Sequence, residues 1–370
     1  MKDFTLYNQV KMFFGKEATS NLEEIAKGHR VLLVYGGNSA KNNGAYDEIT
    51  TNLKKADVPF YELSGISKAE YTHIEQGIKV VDDNNIDMII GIGGCSCMDI
   101  AKLIAFGYYH RDTLWDYLHG KSPVGEKHLM IVEIPTYPSG GSEFGAGAVA
   151  FDSKTGDYGT VYGLRADYAI LNPTYSFTLD KEMTAYTGLV TLTQLSASLL
   201  GDKNPISYGI GISSAKAVYE AIKKLQTVQN DYDAKGTIMY GSSVATSGWL
   251  GLGKESNFAY GIYDLEFIPE NLFDVPYRKS LTTIFPRFLL ALSTSHEEEL
   301  KAYFNDVYGF NGSIENSVTK LIEIFESFGL DMYFHSDISD ERIREIINED
   351  NCGGLDFETV FKLIKSCIKN

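Results

Sequence analysis

Cysteine is scarce in this chain, which has only four among its 370 residues. Two of them, Cys95 and Cys97, lie together in a glycine-rich segment, and the other two, Cys352 and Cys367, lie close to the last residue. So few cysteines in so long a chain argue against a disulfide-rich scaffold, and we expect reduced thiols. Cys95 and Cys97 are either redox-sensitive thiols at the start of a helix or ordinary structural thiols.

Basic residues and long apolar runs are also in short supply. The chain has 33 Lys and Arg against 49 Asp and Glu, so its formal net charge is −16. This charge argues against a nucleic-acid or anionic-membrane surface, because such surfaces need clustered cations. The first residues lack the basic and apolar segments of a signal peptide, and no apolar run approaches the roughly 20 residues of a membrane span. We therefore expect a cytoplasmic protein that binds small molecules or other proteins, and neither nucleic acid nor membrane.

The first half of the chain alternates short apolar runs with helical patterns. The apolar runs are residues 30–35, 59–63, 87–92, 129–134 and 168–171. Between them, residues 45–55 and 69–81 have apolar positions at helical spacing. Strand alternating with helix predicts a parallel, doubly wound sheet of the Rossmann type. Residues 146–151 and 159–163 flank a polar turn and predict a hairpin inserted before the last strand.

From residue 179 onward the strand signals fade and helical spacing dominates. The predicted helices cover residues 184–200, 215–225, 238–250, 280–293, 297–308, 317–328, 340–348 and 356–369. The composition changes near Asn172-Pro173, and the residue before a proline disfavours helix. At 370 residues the chain also exceeds what one hydrophobic core usually serves. We therefore expect an α/β domain over residues 1–178 and an all-α domain over residues 179–370.

Two glycine-rich turns directly follow predicted strands, Tyr35-Gly-Gly-Asn-Ser and Gly91-Ile-Gly-Gly-Cys-Ser. Glycine allows the backbone to approach a ligand closely, and a helix that starts there offers N–H groups to a phosphate. A third segment, residues 135–143, adds hydroxyl side chains after the fourth strand. Ligands of open α/β sheets bind at the carboxyl ends of the strands, where these segments should meet. The sequence therefore predicts a nucleotide site.

Further motifs link these segments to one family. They are Phe14-Gly15-Lys16, the Gly36-Gly37 turn, Gly93-Gly94-Cys95-Ser96 with Asp99, Ala101 and Lys102, the segment from Thr136 to Glu143, Ala146-Gly-Ala-Val149, the segment from Leu171 to Leu179, and Phe285-Pro286. Together they resemble the iron-dependent (group III) alcohol dehydrogenases, in particular the NADP-linked butanol dehydrogenase branch, over essentially the whole chain. The resemblance implies the dehydroquinate synthase-like fold of that family, with a cleft between its two domains and commonly a homodimer. It also implies hydride transfer between a nicotinamide and an alcohol or aldehyde, assisted by a divalent metal.

The resemblance assigns cofactor residues position by position. Those near the adenosine ribose are Gly36, Gly37, Asn38 and Ser39, those around the pyrophosphate are Gly93, Gly94, Ser96 and Asp99, and those nearer the nicotinamide are Thr136 and Ser139. Cys95 stands where the family has a third glycine. No acidic side chain ends the first strand and turn to repel a 2′-phosphate, so we expect NADP, or otherwise NAD. Lys41 is either the counter-charge of that phosphate or a plain surface lysine.

The resemblance also places four metal ligands, and this chain has replaced all of them. The family pattern Gly-x-Asp-x-x-x-His falls on the segment that starts at Gly188, which puts Val190 and Gln194 at the first two positions. Tyr260 and Tyr277 stand at the two histidine positions that follow. Valine has no donor atom, a neutral amide is a poor ligand, and a phenol with a pKa of about 10 loses its proton reluctantly. We therefore expect that metal is absent.

Three functions remain open from the sequence. The first is an NAD(P)-binding family member whose metal-assisted hydride transfer is lost or altered. The second is an inactive pseudoenzyme that senses a ligand or serves as a partner subunit. The third is a metal-independent aldehyde reductase in which Tyr260 or Tyr277 donates the proton, in place of stabilisation by a metal. Without such catalysis, we expect these phenols to fill a vacated cavity and to bond neighbours such as Gln194.

Overall fold

The computed structural model describes residues 1–125, 127–202, 204–254 and 258–369. The chain divides into two compact units. The sheet unit comprises Leu6–Thr178 and Ser242–Ser247, and the helical unit comprises Met1–Thr5, Leu179–Gly241 and Gly248–Asn370. None of the helices in the described ranges combines the length and apolar character that a membrane span requires.

The sheet unit contains a six-stranded parallel sheet. Its strands are β1 (Lys11–Phe14), β2 (Val31–Tyr35), β3 (Phe60–Leu63), β4 (Met88–Gly93), β5 (Met130–Pro135) and, after the hairpin strands β6 (Gly147–Asp152) and β7 (Asp157–Tyr162), β8 (Tyr168–Leu171). Across the sheet their order is β1-β8-β5-β4-β2-β3. The predicted parallel sheet and the antiparallel hairpin are confirmed. Strand β1 was not predicted, because it has four residues and none of them is fully buried.

Helices of the sheet unit flank the strands. They are α1 (Leu22–Ile25), α2 (Ser39–Asn42), α3 (Ala45–Lys55), α4 (Tyr71–Asn84), α5 (Cys95–Gly107) and α6 (Leu114–Leu118). Strand β2 shows how the core is divided, since Leu32 and Val34 join one hydrophobic cluster while Val31, Leu33 and Tyr35 join another. Successive side chains of a strand point to opposite faces, so a strand that is covered on both faces appears as an unbroken apolar run.

The helical unit is built mainly from longer helices. In the described part of the chain they are α7 (Lys181–Leu199), α8 (Pro205–Leu225), α9 (Tyr232–Thr246), α10 (Ile262–Leu265), α11 (Phe267–Phe273), α12 (Tyr277–Ala291), α13 (Glu297–Tyr308), α14 (Ile314–Ser327), α15 (Asp340–Ile346) and α16 (Phe357–Ser366). The last residues of α9, 242–246, belong to the sheet unit. The start of α8 was predicted too late, at residue 215. The helix begins at Pro205, where Asn204 caps it by accepting from the Ile206 amide at 3.0 Å.

The expectation of an all-α second half is wrong in one detail. Two short parallel strands, β9 (Phe334–His335) and β10 (Ile368–Lys369), pair with each other. Two residues are too few for the alternation of apolar and polar side chains that marks a strand in a sequence. Helices α10 and α11 were missed for a similar reason, because each is too short to show a helical period.

Candidate functional site

Three turns meet at the carboxyl edge of the sheet. Strands β2, β4 and β5 are neighbours there, and Gly36 follows β2, Gly94 follows β4 and Thr136 follows β5. The Thr136 amide donates to the carbonyl of Gly93, the last residue of β4, at 3.1 Å. Parallel strands place consecutive turns along one edge, where ligands of such sheets bind. The structure therefore brings together the three segments that the sequence analysis assigned to a nucleotide.

Cys97 packs between the first two turns. Its sulfur would lie 3.1 Å from a Cβ placed on Gly93 and 3.7 Å from a Cβ placed on Gly36. Gly93 also has φ = +136°, a conformation that other residues rarely adopt. Burial is the main cause that raises the pKa of the Cys97 thiol to about 12. Cys97 is therefore a structural thiol, and Gly93 is required by its backbone conformation and its close contact with this sulfur, independently of any ligand.

The start of α5 forms a positively polarised edge. Gly94 is extended there, and no side chain caps the helix. Its carbonyl accepts the first helical hydrogen bonds, from the amides of Cys97 at 3.1 Å and Met98 at 3.2 Å. The amides of Cys95 and Ser96 precede those bonds, and such amides attract anions together with the helix dipole. The two residues are thus placed as a pyrophosphate site would require.

Tyr137 is a side chain at this edge that the sequence analysis did not select. A Cβ built on Gly94 would lie 2.4 Å from the Tyr137 hydroxyl and 3.4 Å from the Ser139 hydroxyl. The Cys95 thiol donates to the Ser139 carbonyl, which ties the start of α5 to the segment after β5. Burial raises the pKa of the Cys95 thiol as well. The only signal in the sequence was an aromatic residue among hydroxyl and glycine residues.

Asp99, which the resemblance assigned to the pyrophosphate, is buried, and its carboxylate forms hydrogen bonds with other residues of the protein. Its carboxylate accepts from the Ser142 hydroxyl at 2.7 Å and from the Val149 amide at 3.2 Å. Burial raises the pKa of Asp99, while Lys102 and these hydrogen bonds lower it. Lys102 follows on the next turn of α5 and is also completely buried. Both residues form hydrogen bonds with Ser142 and so fix the segment after β5 to α5.

A charged cluster, here called the Glu62 cluster, lies near the first turn. The Glu62 carboxylate on β3 accepts from the Tyr35 hydroxyl at 2.5 Å and from the Tyr46 hydroxyl at 2.8 Å. The Lys41 ammonium lies 5.5 Å and 4.9 Å from the centres of the same two rings. Burial, and next the Glu62 carboxylate, raises the pKa of Tyr35 and of Tyr46 to about 12. Lys41 is therefore packed on aromatic rings, and an acid that the sequence analysis overlooked lies on the neighbouring strand.

The four positions assigned to metal ligands lie in the helical unit. Val190 and Gln194 are buried on α7, one helical turn apart. Tyr260 is 45% exposed, and its hydroxyl lies 3.5 Å from Ser198 Oγ. Tyr277 begins α12 and is partly buried. We expected both phenols to fill a vacated cavity, and Tyr260, which is 45% exposed, is not enclosed in one.

These four side chains do not fit a divalent iron or zinc site. They offer no carboxylate, thiolate or imidazole, and such sites are normally built from those groups. Within the described ranges, moreover, no three His, Cys, Asp or Glu side chains lie close enough together to hold a metal ion.

Tyr263 is a second phenol in this region that the sequence analysis overlooked. Its ring centre lies 6.1 Å from that of Tyr260. Burial, followed by the nearby Tyr260 and Glu266, raises the pKa of Tyr263. Glu266 is itself buried, and its pKa is raised first by burial and then by Glu270. The spacing of three residues between the two tyrosines in a helical segment was the available signal.

Comparisons with known proteins place this geometry in context. Residues 9–173 match the family model described as iron-containing alcohol dehydrogenase. The chain is 30% identical over 344 residues to NADH-dependent butanol dehydrogenase A of Clostridium acetobutylicum, which covers 89% of this chain and 88% of that protein. It is 26% identical over 346 residues to the NADPH-dependent aldehyde reductase YqhD of Escherichia coli, again with 89% of this chain and 88% of that protein covered.

Solved structures agree with the fold. The NADH-dependent butanol dehydrogenase A of Thermotoga maritima superposes with a TM-score of 0.86 at 25% identity, and the match covers 100% of this chain and 99% of that chain. The Escherichia coli YqhD structure gives a TM-score of 0.88 at 21% identity, over 99% of this chain and 98% of that chain, and shows the shared fold. The predicted resemblance to this family and to its butanol dehydrogenases is confirmed, and the butanol dehydrogenases named above are NADH-dependent. This chain belongs to the iron-containing alcohol dehydrogenase family.

Proposed function

We propose that the chain binds a nicotinamide dinucleotide at the carboxyl edge of its sheet, and that metal-assisted hydride transfer is lost. One observation carries the first part: two glycine turns, the uncapped start of α5 and Thr136 converge at one edge of one unit. A dinucleotide needs this close backbone approach at a helix start for its pyrophosphate. The cofactor's own chemistry is the transfer of a hydride to or from its nicotinamide ring.

The relatives support a nicotinamide cofactor of either type. The butanol dehydrogenase is named for NADH and the aldehyde reductase for NADPH. The first turn, Gly36-Gly37-Asn38-Ser39, has no carboxylate that would repel a 2′-phosphate. Glu62 on β3 acts in the opposite sense, and the nearby Lys41 favours the phosphate. We propose NADP as the preferred cofactor and NAD as the second.

The loss of metal chemistry rests on the donor atoms in the helical unit. Val190, Gln194, Tyr260 and Tyr277 are poor ligands for iron and zinc. A bound metal polarises a carbonyl and stabilises an alkoxide, which contributes several kcal/mol to catalysis. Without that contribution, we propose that the protein binds its cofactor mainly as a ligand sensor or as a partner subunit.

Calorimetry with turnover assays tests both parts. Protein treated with EDTA should bind NADPH and NADH saturably, with one site per chain. Aldehyde reduction should not rise when Fe²⁺ or Zn²⁺ is added back. If the protein bound neither NADPH nor NADH, the proposed cofactor binding would be contradicted. A rate of aldehyde reduction that depends on added metal would contradict the proposed loss of metal-assisted hydride transfer.

A metal-independent aldehyde reductase is the second candidate, favoured by the exposure of Tyr260, whose hydroxyl lies beside Ser198. A phenol can donate the proton that accompanies hydride transfer to a carbonyl. In this case EDTA-treated protein oxidises NADPH in the presence of a small aldehyde, and the double variant Tyr260→Phe, Tyr277→Phe loses most of that rate. An unchanged rate in the double variant would rule out these tyrosines, and Tyr158→Phe, an exposed tyrosine of the hairpin, is the matched control.

The resemblance further leads us to propose a homodimer with a small-molecule ligand, and a division of the chain into functional domains at residue 179. Light scattering of the purified protein measures the first directly. A mass of twice 41.1 kDa supports the dimer, and a mass of 41.1 kDa contradicts it.

A further inference from the structure

A buried lysine holds an irregular segment of the sheet unit in place. This segment, residues 136–146 between β5 and β6, is here called the hydroxyl loop. Lys102 is 0% exposed, and its Nζ donates to the Ser142 carbonyl at 2.6 Å and to the Ser142 hydroxyl at 3.0 Å. The carbonyls of Gly145 and Gly147 lie at 3.3 Å and 3.1 Å from the same atom. One ammonium group thus serves three backbone carbonyls and a hydroxyl.

Neighbouring groups hold the same loop at other points. Asp99 accepts from the Ser142 hydroxyl, as described above, and Glu143 accepts from the Ser243 hydroxyl at 2.6 Å. The Thr246 hydroxyl donates to the Gly141 carbonyl at 2.8 Å. These bonds are buried or partly buried, and hydrogen bonds to charged groups are about twice as strong as neutral ones. The loop therefore has one defined shape, and Lys102 makes the largest number of its contacts.

We propose that Lys102 is a positioning residue for dinucleotide binding. By fixing the carbonyls of Ser142, Gly145 and Gly147, it fixes the loop that presents Thr136 and Ser139 beside the start of α5. The Cys95 thiol donates a hydrogen bond to the Ser139 carbonyl and so connects the hydroxyl loop to the first turn of α5. This inference rests on the proposed dinucleotide site, and it adds a residue that does not itself touch the cofactor.

Glu133 gives the lysine an alternative partner. Its carboxyl group is 0% exposed, Oε2 lies 3.9 Å from Lys102 Nζ, and neither oxygen has a hydrogen-bond partner within the described ranges. The charged groups that face it are Lys102 and Asp99 on α5 and Glu143 in the hydroxyl loop. Burial is the main cause that raises the pKa of Glu133 to about 8, with Lys102 acting against it. When Glu133 ionises, it competes with the loop carbonyls for the ammonium.

A pH profile therefore separates positioning from general stability. Since the competing carboxylate forms as pH rises through about 8, NADH affinity of the wild-type protein should fall between pH 6.5 and 9. Glu133→Gln has the same shape and cannot ionise, so its NADH affinity should not change over this range. A merely structural role of the cluster would not give a pH-dependent affinity that this one substitution removes.

The experiment measures NADH dissociation constants by calorimetry for five proteins: the wild type, Lys102→Met, Ser142→Ala, Glu133→Gln and the control Lys235→Met. Lys235 is a matched buried lysine of the helical unit, 3% exposed, with its Nζ 2.7 Å from Thr184 Oγ1. We expect affinity to fall at least tenfold in Lys102→Met and severalfold in Ser142→Ala. Lys235→Met should lose stability and keep its NADH affinity.

The outcomes separate the two proposals. If Lys102→Met folds and binds NADH as the wild type does, or if Glu133→Gln keeps the wild-type pH profile, the positioning role is wrong. If Lys102→Met does not fold, the NADH affinity of Ser142→Ala and the pH profiles of the wild type and Glu133→Gln still test the positioning role. If the wild-type protein binds neither NADH nor NADPH, the proposed function fails, and that result is visible before any variant is compared.

Discussion

At the scale of single residues, the sheet unit encloses four ionisable side chains in one cluster. Asp99, Lys102, Glu133 and Glu143 have exposed fractions of 7%, 0%, 0% and 2%. Burial is the main cause that raises the pKa of each of the three carboxyl groups. A single lysine cannot neutralise three buried carboxylates, and Glu133, whose pKa is raised to about 8, keeps its proton at neutral pH. The sequence could not predict this buried cluster, because hydrogen bonds between a side chain and loop carbonyls leave no periodic pattern in a sequence.

Glu133 should make the protein less stable as pH rises. Its pKa is raised from 4.5 to about 8 in the folded state, so the folded state keeps a proton that the unfolded state releases in that interval. The contribution to stability is complete below pH 4.5 and is lost as pH rises to about 8. We expect the loss to be on the order of a few kcal/mol in the free energy of unfolding.

Urea denaturation of the wild type and of Glu133→Gln between pH 5 and 8.5 measures this contribution. The difference between the two proteins should grow in favour of the glutamine variant as pH rises. A constant difference over the whole range would show that Glu133 does not titrate in the folded protein. Comparison with one variant is necessary because Asp99 and Glu143 change stability in the same direction.

The Glu62 cluster should influence the choice between NADPH and NADH. A carboxylate repels a 2′-phosphate and an ammonium attracts it, and at an exposed edge each effect amounts to roughly 0.5–1 kcal/mol. Glu62→Gln should therefore raise the ratio of NADPH to NADH affinity about two- to fivefold, and Lys41→Met should lower it by a similar factor. Competition titrations measure the ratio, and Glu23→Gln, which removes an exposed acid on α1, is the control. Equal ratios in all variants would exclude a role for this cluster.

At the scale of elements, the sequence predicted whatever is long and regular. The central strands β2 and β4 are buried on both faces and appear as apolar runs, and α13 matches its predicted bounds because an acidic first turn and Gly309 mark its two ends. Short elements were missed, among them the strand β1, the paired β9 and β10, and α10 with α11. The parallel topology predicted that the three segments assigned to a nucleotide meet at one edge of the sheet. The contact between the Tyr137 hydroxyl and Gly94 could not be predicted from the sequence.

The contact between α5 and Tyr137 provides a prediction at this scale. Gly94→Ala would place a Cβ 2.4 Å from the Tyr137 hydroxyl, so the phenol must move away from the start of α5. Gly94 has φ = −92°, which alanine adopts without strain, so the effect comes from the contact alone. We expect NADPH affinity to fall at least tenfold while thermal unfolding changes by only a few degrees.

The double variant Gly94→Ala, Tyr137→Thr relieves the contact and should recover thermal stability. Gly209→Ala in α8, where an added Cβ meets no atom within 4 Å, is the matched control and should leave NADPH affinity unchanged. Wild-type affinity in Gly94→Ala would show that a dinucleotide does not approach this turn.

At the scale of the whole molecule, the chain belongs to the family, but the chemistry that we propose for it differs from the metal-assisted chemistry that the family name implies. The fold and the family agree with the resemblance that the sequence shows along the whole chain. The four positions that the resemblance assigns to metal ligands hold Val190, Gln194, Tyr260 and Tyr277, which offer no donor set suited to iron. We therefore expect a cofactor-binding protein without the family's metal.

Metal content of the purified protein, measured by mass spectrometry together with its thermal stabilisation by NADPH, tests this claim most directly. We expect far less than one equivalent of iron or zinc per chain and a clear rise in the unfolding temperature with NADPH. Stoichiometric metal that survives purification, or no stabilisation by NADPH and NADH, would contradict it.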